Sequence, residues 1–148
     1  MNNSLFDRAI KAAATLGGAV IGFFGGWTAL LTALVAVMAV DYVSGVFVAL
    51  NNKSQKTESG GLSSKVGFKG LLKKGMILLV VLVATLVDKV IGSDGMICQS
   101  AAICFYIANE GLSVLENAAL LGLPVPSAVR RALDDIREKD DENKRDAA

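Results

Sequence analysis

Gln99, Tyr106, Glu110, Ser113 and Asn117 are the residues of this chain whose types and spacing best suit a shared task. They recur at +7, +4, +3 and +4. At ~100° per residue on a helix, all fall within about 40° of one line. Asn109 and Glu116 flank that line on one side. Ala101, Ile103, Ile107, Leu112, Leu115 and Ala119 lie mostly elsewhere. Ionisable groups in such apolar surroundings seek a bundle interior or water. Two readings follow. The stripe hydrogen-bonds to neighbouring helices, or it lines water in an oligomeric opening.

Asp41 raises the same question. It is the one formal charge in the 39 residues from Ala12 to Leu50. Tyr42 and Ser44 beside it are candidate partners for a neighbouring helix. Neutralisation has three candidates: Lys65 or Lys69 reaching toward it, water, or protonation. A structural contact and a functional role both remain open.

Chemistry of the enzymatic kind is not indicated. The chain has no His, which removes the commonest general base and metal ligand. It contains no phosphate loop and no GxSxG, HExxH or CxxC pattern. Cys98 and Cys104 are six residues apart, on different faces of one helix, which suits small apolar residues better than a disulfide. No enzyme, cofactor or metal is expected.

The elements that must position these residues are membrane spans. A run of 39 apolar residues at ~1.5 Å rise is about twice what a bilayer core of roughly 30 Å needs. The run is also far longer than the ~7–15 apolar residues of a secretory signal. Trp27 and Thr28 divide it, since Trp favours the interface. The expected arrangement is an N-terminal glycine-rich helix over about 5–26, interfacial or partly inserted, then a span over about 27–50. A two-span hairpin is the alternative. Gly18, Gly22 and Gly26 form a GxxxGxxxG pattern, which lets helices approach closely or simply leaves a flexible segment.

A polar loop, residues 51–64, precedes a basic amphipathic stretch from Ser63 to Lys74. Spans follow over about 75–91 and 96–121, separated by the turn Gly92-Ser93-Asp94-Gly95. Gly122-Leu123-Pro124-Val125-Pro126 stops the last span. Asp88, Lys89 and Asp94 are placed at that turn, where charge is cheap. Ser127 then caps an amphipathic helix to about Lys139, with Val129, Leu133 and Ile136 on one face. The charged residues 140–148 are expected to be disordered. The fold class is therefore an all-α membrane protein with about three transmembrane helices. Residues 1–126 form the transmembrane part and 127–148 a cytoplasmic helix and tail.

Of the 15 Lys and Arg, six lie in Lys53–Lys74 and six in Arg130–Arg145. The tail mixes its bases with seven acids, which argues against nucleic acid as a partner. Lys65, Lys69 and Lys73 run at i, i+4 and i+8, with Lys74 adjacent. All four are assigned to anionic headgroups, each lysine worth ~1 kcal/mol near the surface. Both basic clusters place their loops in the cytoplasm. The C-terminus is then cytoplasmic, and the N-terminus lies outside with three spans or inside with four.

Several blocks resemble the phage lysis and toxin-secretion holins. They are Asp41-Tyr42-Val43-Ser44-Gly45, the stretch from Ser63 to Lys74, and the stretch from Phe105 to Asn117. The Gly-Leu-Pro-Val-Pro stop and the basic helix after it are also similar to that family. The resemblance covers about Trp27 to Lys139. It implies a small protein that accumulates in the host bacterial cytoplasmic membrane and self-associates into lesions at a set time. The lesions release an endolysin, without required direct contact, or in some relatives a large toxin. No catalytic or ligand residues come with the resemblance. Some holins have an inhibitor made from a second start codon, but the next Met here is Met38, inside a span. Competing classes are a small channel or transporter subunit, and a membrane scaffold whose tail binds a cytoplasmic partner.

Overall fold

A computed structural model describes residues 3–92, 95–129 and 131. It contains α1 (Asn3–Phe23), α2 (Ala29–Leu50), α3 (Ser64–Ile91) and α4 (Ile97–Leu120), with no strand among the described residues. The ends of these helices follow local chemistry. Thr28 has extended backbone and accepts from the Leu31 N–H at 3.1 Å, so α2 starts there. Ser63 does the same for Val66 at 3.5 Å and starts α3. Gly92 ends α3 in the left-handed region, at φ 67°, where glycine carries no Cβ penalty.

The long apolar run divides between Phe24 and Thr28. Gly25 and Gly26 take φ of 76° and 105° there and break the helix. Gly26 thus lies outside α1, and the glycine pattern does not run along one helix. At Gly18 and Gly22 no atom of the same chain lies within 4 Å of where a Cβ would stand, so no other helix of this chain packs on them. The basic stretch before residue 75 is not a separate element either. Ser64 to Ile91 is one unbroken helix of 28 residues, ~42 Å long. The proposed C-terminal helix lies largely outside the described residues, although 127–129 and 131 are helical.

α4 sits between α2 and α3 and makes most of the contacts that hold them, whereas α1 touches the rest only lightly, through α3. The apolar core is small. Leu31, Leu34 and Met38 of α2 meet Ile77 and Val81 of α3 and Ile103 of α4, with Phe24 at one end. Many large apolar side chains point outward instead, among them Val43 and Phe47 of α2 and Leu79, Val83 and Val90 of α3. The interior, by contrast, holds Lys74, Thr85, Asp88, Gln99, Glu110 and Asn117. An apolar exterior around a polar interior is the reverse of a water-soluble domain and suits a lipid surround. α2 and α3 are each long and apolar enough to cross a membrane.

Candidate functional site

Asp41 lies nine residues before the end of α2. Lys74 lies ten after the start of α3, and Glu110 ten before the end of α4. At 1.5 Å per residue, all three are ~14–15 Å from the same end of the bundle. They meet there. The Lys74 ammonium donates to Asp41 Oδ2 at 2.7 Å and to Glu110 Oε2. Lys74 is 8% exposed and Glu110 2%. One cation is therefore shared by two carboxylates on two other helices. The group carries a formal charge of −1, with Lys73 Nζ at 4.0 Å from Glu110 Oε1 on the exposed side.

Neutral donors complete the carboxylates' shell. Asn117 Nδ2 donates to Ser44 Oγ at 2.8 Å and lies 3.4 Å from Asp41 Oδ1. The Ser113 side chain lies beside the Asp41 carboxylate as well. Ser44 Oγ donates back to the Asp41 carbonyl at 3.0 Å. Among the described residues, no fully buried side-chain N or O lacks a partner. The arrangement ties α2, α3 and α4 together. No group of three or more His, Cys, Asp or Glu suited to a metal occurs among the described residues.

A second polar knot closes the opposite end. Asp88 is 1% exposed, not at an open turn as its sequence position suggests. Met96, the N-cap of α4, makes no side-chain cap bond. Asp88 supplies the cap from α3, accepting from the Cys98 N–H at 3.0 Å and the Gln99 N–H at 2.8 Å. A carboxylate there satisfies orphan donors and meets the positive end of the helix dipole. Gln99 Nε2 donates to Thr85 Oγ1 at 2.7 Å and to the Phe24 carbonyl at 2.8 Å.

The α4 stripe is thus split between two sites. Glu110, Ser113 and Asn117 join Asp41, while Gln99 belongs to the other end. Tyr106 packs against the apolar core between them. Asn109 is half-buried and Glu116 exposed. Lys65, Lys69 and Lys73 stay exposed on α3, but Lys74 is no headgroup anchor. The reason is its helical position. Lys74 shares a face with the buried Ile77, Val81, Thr85 and Asp88, spaced +3, +4, +4 and +3. That spacing was the available signal for the partner of Asp41. Once the helix starts at Ser64, the face of Lys74 is fixed, and its neighbour Lys73 turns away by ~100°. Cys98 and Cys104 are free thiols.

Residues 18–138 match the bacteriophage holin family. The chain belongs to that family. Its members are membrane proteins without enzymatic activity. An uncharacterized protein of Clostridium perfringens is 36% identical to it over 124 residues, covering 84% of this chain and 87% of that protein. An uncharacterized protein of Listeria innocua is 37% identical over 132 residues, covering 87% and 89%. A probable holin of Bacillus phage phi105 is 31% identical over 112 residues, covering 76% and 77%. No solved structure matches the chain.

Proposed function

We propose that this holin-family chain crosses the host cytoplasmic membrane with α2, α3 and α4. The loop between α2 and α3 and the C-terminus lie in the cytoplasm. Copies accumulate, assemble through their helix faces and open lesions that release an endolysin. The observation that carries this reading is the buried Asp41–Lys74–Glu110 group inside a bundle with an apolar exterior. Charges at that depth are masked only while α2, α3 and α4 stay together. In an assembly, the same groups on α4 line water once the bundle opens. The closed form is therefore compatible with lipid, and the open form with a wet lesion. Lys65, Lys69 and Lys73 hold the cytoplasmic end of α3 at anionic headgroups.

The test is expression in bacteria with and without a co-expressed endolysin. Abrupt lysis is expected only when both are present. A chain that conducts ions but never releases the endolysin is a channel subunit, and one that does neither is a scaffold. Replacing both Glu110 and Asn117 with Ala is expected to shift the time of lysis. Unchanged lysis and permeability in that variant rule out a role for the α4 stripe.

A further inference from the structure

Between the loop-side ends of α2 and α4 is a cavity of about 460 Å³. Its lining includes Lys56 of the loop, Gly45 of α2, and Ser113, Glu116 and Asn117 of α4. Asn117 also donates to Asp41 Oδ1 at 3.4 Å, and Ser113 lies beside that carboxylate. The cavity floor is therefore the outer shell of the buried ion group. Asp41 retains 13% side-chain exposure, against 2% for Glu110. Ser113 lies seven residues inside the end of α4, ~10 Å below it. Beyond the ion group the bundle is closed by Leu34, Val81 and Ile103, all at 0% exposure.

We infer that this cavity is an aqueous vestibule, admitting water and small hydrophilic solutes from the loop side as far as Asp41. The inference rests on the membrane reading of the fold and adds to it a wet half-path within each single copy. Polar walls and a volume for many waters favour hydration over an empty void. The charges in and behind the wall balance: Glu116, Asp41 and Glu110 stand against Lys56, Lys74 and Lys73, whose Nζ is 4.0 Å from Glu110 Oε1. A balanced polar wall admits hydrophilic solutes of either sign. Gly45 sets the width. A Cβ there would stand 3.8 Å from Asn117 Nδ2, an ordinary contact, so a larger side chain would project into the space.

The test is cysteine labelling of the full chain in membrane vesicles, in a background carrying Cys98→Ser and Cys104→Ser. Single cysteines are placed by Ser113→Cys and Glu116→Cys in the vestibule, and by Gln55→Cys as a marker of the loop side. Val43→Cys reports the outward apolar face at similar depth. The probes are a cationic and an anionic membrane-impermeant thiosulfonate, each added to either face. Ser113→Cys and Glu116→Cys should react from the same face as Gln55→Cys, at least an order of magnitude faster than Val43→Cys. Adding Gly45→Leu should slow labelling at position 113 by either probe. No reaction at positions 113 and 116, with Val43→Cys also silent, overturns the vestibule but leaves the membrane reading intact. Rapid reaction of Val43→Cys overturns the membrane reading itself.

Discussion

Lys74 is the side chain on which the interior depends most. It is the shared partner of two carboxylates, one of which, Glu110, is only 2% exposed. Removing one partner of a buried ion pair costs about 3–5 kcal/mol, because the remaining charge is left uncompensated. Lys74→Met should therefore lower the thermal unfolding midpoint in detergent by that equivalent. Adding Asp41→Asn and Glu110→Gln to it removes both orphaned charges and should restore most of the loss. A smaller effect belongs to Asn117, whose amide bridges Ser44 and Asp41 across α2 and α4. Asn117→Ala should cost about 1–2 kcal/mol in the same measurement, the range for buried hydrogen-bonding groups left unsatisfied.

At the scale of elements, α4 depends on a cap that it does not carry. Asp88 of α3 accepts from two N–H groups of its first turn. Asp88→Ala should cost about 1–2 kcal/mol, in the upper range for lost helix caps. The amides of Cys98 and Gln99 should then exchange with solvent faster, while those near Glu110 keep their protection. Unchanged exchange at Cys98 and Gln99 would show that α4 starts without this cap. Much of the element pattern is readable in residue order. The Trp27-Thr28 junction, the α4 limits and the polar stripe on α4 all follow from apolar periodicity and turn residues. The partner of Asp41 does not. Lys73 and Lys74 are adjacent and chemically identical, and only the phase of a helix starting at Ser64 tells them apart. Asp88 misleads for a related reason. It sits next to a turn in sequence, but its carboxylate folds back under the next helix, a placement set by tertiary contact.

For the whole molecule, the polar interior and apolar exterior make one object with two environments to satisfy. In the proposed membrane setting, lipid outside favours the closed bundle, and the charged group stays masked only while three helices share it. This gives the closed state a defined weak point. The central claim is that the Asp41–Lys74–Glu110 group holds each copy of this holin-family chain closed and so delays the lesion. The direct measurement is the time of lysis in cells co-expressing an endolysin, at matched membrane levels of each variant. Lys74→Met should bring lysis forward, and Lys74→Met with Asp41→Asn and Glu110→Gln should return it toward the unmodified time. Identical lysis times for all three chains would contradict the claim.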